Sequence, residues 1–231
     1  MKAFLPSLST GGYSRMQDLA ELKIQLRSRL KQSRDLMDVS MRQQAMTQIN
    51  AGMKRELEHL RQAKSKGSNR PLIIFSYLSY GSEASTACLF QEGWNHGDVM
   101  LAPKVLAESP RMELRRVTGE QDTEPGIWGI PEPKNSCVVL SPEDWPKLDL
   151  VLVPGLGYDL HGGRIGYGGG YYDRFAEMLA AKCAMTDKKP LMGAMVLPGQ
   201  LQDKIPMDLL DLRIDLLITT EGILHISNKG L

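Results

Sequence analysis

The chain has 231 residues, 42% of them hydrophobic, and its 28 basic and 27 acidic residues nearly cancel. This length and apolar content allow one large folded core, and the charge balance excludes a general electrostatic attraction to nucleic acid or anionic membranes. Because no apolar run approaches the roughly 20 residues of a membrane helix and the N-terminus lacks the apolar core of a signal peptide, we expect a soluble, cytoplasmic protein that acts on a small molecule.

The N-terminal part of the chain predicts an extension followed by two helices. Residues 1–15 have no helical or strand period and are predicted to be flexible, and residues 16–231 are predicted to form one α/β domain. After the extension, leucines recur at helical spacing among basic residues, which indicates an amphipathic helix. Ser40, with Gln43 three residues later, fits a capping box and predicts a second long helix that runs to about Lys64.

Short apolar runs separated by turns predict alternating strands and helices in the rest of the chain. Residues 148–153 are nearly all apolar, as expected for the centre of a parallel sheet covered on both faces. Residues 119–134 are rich in proline and glycine and predict a loop. The fold class is therefore α/β: an open, mostly parallel sheet with helices on both faces, Rossmann-like and three-layered, plus an N-terminal helical pair. Further strands are predicted at 71–77, 99–102, 112–117 (an edge strand), 191–196 and 214–219, and helices at 85–91 and 170–182.

The most informative segment, residues 150–179, has eight glycines between an apolar strand and an amphipathic helix. Glycine lets backbone N–H groups approach phosphate oxygens closely, and a helix N-terminus favours negative charge. The loop follows a buried strand, where ligands bind in open α/β sheets. It is neither a Walker A loop nor a dinucleotide fingerprint. The segment predicts a phosphate site, with a plain flexible connection as the alternative.

Charged and aromatic residues in the same segment favour the phosphate interpretation. Arg164 lies within the loop, and Tyr171, Tyr172 and Asp173 begin the helix after it. Arginine is a bidentate partner for phosphate, and a carboxylate beside phosphates is typical of a bridging Mg²⁺. The alternative for Asp173 is a first-turn carboxylate that only complements the helix dipole.

These residues carry a resemblance to a known family. The stretch PGLGYDLHGGRIGYGGGYYDRF at 154–175 resembles the signature of the 5-formyltetrahydrofolate cyclo-ligase family. Four other stretches are similar to the family in the same order: KIQLR at 23–27, YLSYGSE at 77–83, WGIPEP at 128–133 and IPMDLLDLRIDLLIT at 205–219. The resemblance implies an ATP- and Mg²⁺-dependent enzyme that converts 5-formyltetrahydrofolate to 5,10-methenyltetrahydrofolate and releases ADP and phosphate.

The resemblance also implies roles for particular residues. Lys23 and Arg164 would be catalytic, and Asp173 and Asp211 would hold Mg²⁺. Without the resemblance, Lys23 and Arg27 would be interpreted as solvated charges on a helix, and Asp211 as a carboxylate in a surface turn. The implied ATP-binding set is Lys23, Ile24, Gln25, Leu26, Arg27, Arg164, Ile165, Gly166, Tyr167, Gly168, Gly169, Gly170, Tyr171 and Tyr172.

The implied folate site shares part of the glycine-rich loop at 155–170, called the glycine loop below, with the implied ATP site. A carboxylate at Glu83 suits the amino and ring N–H donors of a pterin, and the alternative is an acid at a helix entry. Trp128 could stack on an aromatic ring, with packing at the edge of the core as the alternative. The implied substrate-binding set is Leu78, Glu83, Trp128, Tyr167, Gly168, Gly169, Gly170 and Tyr171.

Three positions depart from the family pattern. Many members have Arg where Tyr167 stands, some have Lys at Gly169, and His or Asn is common at Leu210. Phosphate binding would then depend more on Lys23, Arg27 and Mg²⁺. These departures motivate an alternative function, a non-catalytic folate- or nucleotide-binding relative that has lost turnover.

A third possibility, a phosphosugar isomerase or acyl-CoA transferase, needs a base or nucleophile that the sequence does not place. For the leading hypothesis we expect 5-formyltetrahydrofolate as the substrate, with a polyglutamylated form as an open alternative. We expect no nucleic-acid or membrane partner, and a monomer or weak dimer.

Overall fold

The computed structural model describes residues 10–67, 70–106, 108–126, 129–186 and 188–226, with side chains from residue 18 onward. Short 3-10 helices lie at Glu120–Asp122 and Pro142–Lys147. The α-helices in these ranges are α1 (Thr10–Asp35), α2 (Val39–Ser65), α3 (Ala87–Asn95) and α4 (Tyr171–Cys183). The strands are β1 (Ile73–Ser76), β2 (Val99–Val105), β3 (Met112–Arg116), β4 (Thr123–Pro125), β5 (Pro131–Pro133), β6 (Leu150–Leu152), β7 (Gly157–Tyr158), β8 (Arg164–Ile165), β9 (Leu191–Met195), β10 (Leu216–Ile218) and β11 (Ile223–His225).

Seven strands form the main sheet in the order β11-β10-β9-β6-β1-β2-β3. The five inner strands are parallel, whereas β3 and β11 pair antiparallel at the two edges. The apolar run predicted as the central strand is β6, which is fourth of the seven and fully buried. The predicted open, mostly parallel α/β sheet is therefore confirmed, and the strand predicted at the edge, β3, is an edge strand.

Helices cover both faces of the sheet because successive side chains of a buried strand point to opposite sides. On β6, Leu150 and Leu152 pack in the core cluster that contains α2 and α3. Val151, between them, packs in the cluster that contains Phe175 and Leu179 of α4. Two apolar layers thus enclose the parallel strands, as expected for strands with no polar face.

The N-cap of α2 differs from the sequence prediction. The helix begins at Val39, and Asp38 rather than Ser40 is the cap. The Asp38 carboxylate accepts hydrogen bonds from the backbone N–H groups of Ser40 and Met41, at 2.8 and 3.2 Å. An aspartate at this position satisfies free N–H groups and also complements the helix dipole, so it displaces the serine two residues later.

Other boundaries and small elements also differ from the prediction. α1 begins at Thr10, before the predicted start, and β7, β8 and β11 were not predicted. The predicted loop at 119–134 contains a 3-10 helix and the β4–β5 hairpin. Proline is tolerated in this hairpin because a two-stranded sheet leaves an outer side of each strand without partners.

The residues of the candidate site come together at the carboxyl ends of the parallel strands. β1 and β6 are parallel neighbours, so the loops that follow them, including Leu78–Glu83 and the glycine loop, leave the sheet side by side. α1 is held against the glycine loop by a separate apolar cluster in which Leu30 packs with Leu156, Ile165 and Ile205. None of the described helices is long and apolar enough to cross a membrane.

Candidate active site

A cleft of about 760 Å³ opens beyond the carboxyl ends of the parallel strands. Its volume lies in the range of sites for small molecules and cofactors. Its walls come from α1, the loop after β1, the β4–β5 hairpin, the glycine loop and the segment that carries Asp211. The predicted site residues that line it are Lys23, Arg27, Leu78, Glu83, Arg164, Ile165, Gly166, Tyr167, Gly168, Gly169, Gly170, Tyr171, Tyr172, Asp173 and Asp211.

Three predicted residues in the described part of the chain are not among the residues that line the cleft. Ile24 is 62% exposed, the Gln25 amide bonds to Glu21 on the same helix, and Leu26 packs in the apolar cluster beneath α1. Positions 23 and 27 lie one helical turn apart on one face, and the three between them point elsewhere. Trp128 lies outside the described residues.

The glycine loop has a defined local structure. β7 and β8 form a short hairpin, and the buried Asp159 accepts hydrogen bonds from the backbone N–H groups of His161, Gly163 and Ile205. Asp159 belongs to the family-like signature, but no role was predicted for it from the sequence. Its carboxylate holds the hairpin against the segment that leads to Asp211.

Two glycines adopt left-handed conformations where the loop meets α4. Gly168 has φ +98° and Gly170 has φ +67°. Gly170 is the N-cap of α4 and provides no side-chain hydrogen bond to the first turn. The first N–H groups of α4 therefore have no side-chain cap, which is the arrangement that favours an anion at a helix N-terminus.

Arg164 is buried and connects the loop to α4. One terminal nitrogen donates to the Pro154 carbonyl at 3.1 Å and the other to Asp173 Oδ1 at 2.7 Å. Its Nε has no hydrogen-bond partner in the described part of the chain. The guanidinium thus fixes the direction of the Asp173 carboxylate and still has an unused donor.

Asp173 and Asp211, far apart in sequence, lie on the same side of the cleft. The backbone N–H of Leu212, the residue after Asp211, donates to Asp173 Oδ1 at 3.1 Å. Both carboxylates remain partly exposed, at 32% and 23%. The described residues contain no cluster of three or more His, Cys, Asp or Glu side chains suited to a metal ion. Two carboxylates nevertheless fit Mg²⁺, which keeps several waters and takes the remaining oxygens from phosphates.

The cations of α1 reach across the mouth of the cleft. Lys23 forms an ion pair with Asp211, and Arg27 Nε donates to the Gly166 carbonyl at 3.1 Å. The Arg27 guanidinium also lies beside Gly168, about 3.6 Å from where a β-carbon would stand. The helix thus brings positive charge to a loop that has only Arg164 of its own.

A second hydrogen-bonded group lies around Glu83. This carboxylate accepts from the Tyr80 backbone N–H at 2.9 Å and from the Tyr167 hydroxyl. Arg34 of α1 donates to the same hydroxyl at 2.6 Å. Sequence reasoning missed Arg34, although it is seven residues after Arg27 and therefore on the same helical face.

Apolar and aromatic groups complete the lining. Tyr172 stacks on Phe75 with ring centroids 6.1 Å apart, and its buried hydroxyl has no partner among the described residues. Burial raises the pKa of Tyr172 and keeps this hydroxyl protonated. The sequence analysis also missed the buried Glu132 on β5, whose pKa is raised by desolvation.

The fold and the cleft define an α/β protein that combines a glycine-rich loop, two cations from an N-terminal helix and a pair of carboxylates at one site. A model of the 5-formyltetrahydrofolate cyclo-ligase family matches residues 20–220. The chain belongs to this family.

Individual relatives agree with this assignment. The chain is 28% identical over 146 residues to the mouse 5-formyltetrahydrofolate cyclo-ligase, covering 62% of this chain and 70% of that protein. It is 26% identical over 203 residues to a probable 5-formyltetrahydrofolate cyclo-ligase of Caenorhabditis elegans, covering 87% and 93%. The solved 5,10-methenyltetrahydrofolate synthetase of Aquifex aeolicus superposes with a TM-score of 0.68 at 25% identity, covering 91% and 95%.

The left-handed conformation of Gly168 predicts that a side chain at this position destabilises the protein. Because its φ of +98° is unfavourable for L-residues, we expect Gly168→Ala to lower the free energy of unfolding by about 1–2 kcal/mol. Urea unfolding followed by circular dichroism measures this change. Gly67→Ala is the matched control, since a β-carbon there meets nothing within 4 Å. Equal stability of the two variants would contradict the strain at Gly168.

Proposed function

We propose that this protein is an ATP- and Mg²⁺-dependent 5-formyltetrahydrofolate cyclo-ligase. The observation that carries the proposal is one cleft in which Lys23, Arg27 and the glycine loop face the carboxylates of Asp173 and Asp211. Membership of the family supports the choice of substrate.

The nucleotide phosphates are assigned to the end of the cleft where α1 meets the glycine loop. Lys23 supplies an ammonium donor and Arg27 a planar guanidinium, and the buried guanidinium of Arg164 borders the same end of the cleft. The first turn of α4 adds backbone N–H groups without a side-chain cap. These donors compensate for the tyrosine at position 167 of the loop, where a cation would be expected.

Asp173 and Asp211 are the residues that would hold Mg²⁺. When bound, the ion would neutralise phosphate charge and orient the terminal phosphoryl group. Leu210, which departs from the family pattern, is 80% exposed. The partners of Asp211 in the structure are Lys23 and the backbone N–H of Asp208. The Leu210 side chain is therefore not one of the partners of Asp211.

The folate is assigned to the end of the cleft lined by Leu78, Glu83 and the aromatic side chains. The Glu83 carboxylate suits the amino and ring N–H donors of the pterin. Tyr167 is 46% exposed, and residues 168–171 also line the cleft. The glycine loop is therefore proposed as the wall that the two substrates share.

The proposed reaction needs positioning and charge stabilisation rather than a protein nucleophile. The formyl oxygen of the folate attacks the terminal phosphorus of ATP, and ADP leaves. N10 then attacks the activated carbon, the carbon–oxygen bond breaks, and hydrogen phosphate departs with the N10 proton to give the methenyl product. In this proposal Lys23 and Arg164 would face the negative charge that develops on the transferred group, and such fixed donors stabilise phosphoryl transfer.

Turnover is tested by mixing the purified protein with 5-formyltetrahydrofolate and MgATP. We expect the near-UV absorbance of the methenyl product to rise only when ATP and Mg²⁺ are both present, with one ADP released per product. Binding of both substrates without ADP release would identify the non-catalytic alternative. Absence of folate binding at high protein concentration would refute the proposal altogether.

The metal role of Asp173 makes a second prediction. We expect Asp173→Asn to lower kcat/KM by roughly 100-fold and to raise the Mg²⁺ concentration needed for half-maximal rate. The amide oxygen can still accept from Leu212, so circular dichroism should show a folded protein. Asp144→Asn is the matched control, because that exposed carboxylate pairs with Lys147 away from the cleft. Wild-type rates in Asp173→Asn at every Mg²⁺ concentration would refute the metal role.

The finer predictions on location and assembly stay predictions. One relative, 27% identical over 240 residues, is a mitochondrial 5-formyltetrahydrofolate cyclo-ligase of Arabidopsis thaliana, so family membership does not determine the compartment. A cytoplasmic location and a monomer or weak dimer are what we propose for this chain.

A further inference from the structure

Arg34 is a buried cation at the folate end of the cleft that sequence reasoning gave no role. It is 5% exposed, and Nε donates to Ser82 Oγ at 2.9 Å while a terminal nitrogen donates to the Tyr167 hydroxyl at 2.6 Å. Its guanidinium carbon also lies 5.5 Å from the centre of the Tyr167 ring. One side chain of α1 therefore contacts both the loop after β1 and the glycine loop.

The Tyr167 hydroxyl transmits this contact to Glu83. A phenol has one proton to donate, and here that proton goes to Glu83 Oε1 while the oxygen accepts from Arg34. Desolvation of the hydroxyl and the negative charge of Glu83 raise the pKa of Tyr167, so the group remains a donor at neutral pH. Arg34 thus determines which way the hydroxyl points.

Both oxygens of Glu83 are held by this arrangement. Oε1 accepts from Tyr167, and Oε2 accepts from the Tyr80 backbone N–H at 2.9 Å. Ser82, the residue before Glu83, accepts from Arg34 and donates to Asp35. Because each carboxylate oxygen can accept more than one hydrogen bond, the fixed carboxylate still has capacity for donors from a ligand.

We propose that Arg34 is a positioning residue for folate binding, which acts through the Tyr167 hydroxyl to fix the carboxylate of Glu83. The inference rests on the proposed function, because it takes Glu83 as the group that binds the pterin. A fixed acceptor costs a ligand less to engage than one that must first be ordered. The expected signature is a loss of folate affinity with little change in the use of ATP.

A purely structural role for Arg34 would have a different signature. α1 is also held by the apolar contacts of Leu30, by the bond from Arg27 to Gly166 and by the ion pair of Lys23 with Asp211. The helix therefore keeps several attachments when Arg34 is changed. A structural role would lower stability and disturb the ATP end, which α1 also forms.

The experiment compares Arg34→Met, Tyr167→Phe and the double variant. Calorimetry measures the Kd of 5-formyltetrahydrofolate without nucleotide, and steady-state kinetics measures the KM of each substrate. We expect each single variant to raise the folate Kd and KM about tenfold and to leave the KM of MgATP within about twofold. The double variant should also lose about tenfold, since both changes interrupt the same chain of hydrogen bonds. Tyr167→Phe removes one oxygen atom and tests the inference even if Arg34→Met fails to fold.

Arg61→Met is the matched control. Arg61 is a partly buried arginine that pairs with Asp98 at 2.6 Å. Asp98 precedes β2, so this pair lies at the amino ends of the strands, whereas the cleft lies at their carboxyl ends. We expect Arg61→Met to lower the melting temperature without changing the folate KM. A similar rise in folate KM for Arg61→Met and Arg34→Met would overturn the inference.

Glu83→Gln separates the failure of this inference from failure of the proposed folate site. If Glu83→Gln binds folate as tightly as the wild type, the assignment of the pterin to Glu83 is wrong. If it weakens folate binding and Tyr167→Phe does not, the positioning role of Arg34 is wrong. Independent, multiplying losses in the double variant would also overturn it.

Discussion

The cations and carboxylates at the proposed ATP end of the cleft are already paired with each other. Lys23 pairs with Asp211 across 188 positions of sequence, and Arg164 pairs with Asp173. A partly desolvated group of like charges would be costly to hold together, whereas alternating charges support one another. The residues proposed to bind phosphate and metal are thus assembled before MgATP binds. On binding, the cations would pair with phosphate oxygens instead of Asp173 and Asp211, and the two carboxylates would pair with Mg²⁺.

This pairing depends on where α1 lies. Leu30 packs on the same segments that carry the glycine loop and Asp211, so apolar burial places the polar face of the helix over the cleft. Along that face Lys23 and Arg27 lie at the proposed nucleotide end, and Arg34 lies at the proposed folate end. One helix therefore contributes side chains to both proposed binding regions.

Some of this site could be predicted from sequence and some could not, for physical reasons. The central strand, the glycine loop and the start of α4 depend on local composition, and all three occur where they were predicted. The proximity of Asp173 and Asp211 depends on the order of strands in the sheet, and only the family resemblance pointed to it. Arg34 and Glu132 line the cleft together with residues from distant segments of the chain, so no local sequence pattern identifies them as site residues. The N-cap of α2 is Asp38 and not the predicted Ser40, because neighbouring polar residues compete for the same backbone N–H groups.

The most direct test of the account is the affinity of ATP with and without Mg²⁺, measured by calorimetry at constant ionic strength. Asp173 and Asp211 should repel a free triphosphate, so we predict that ATP in EDTA binds at least about tenfold more weakly than MgATP. In Asp211→Asn this difference should shrink. Equal affinity for ATP and MgATP in the wild type, with no change in the variant, would contradict the assignment of these carboxylates to the metal.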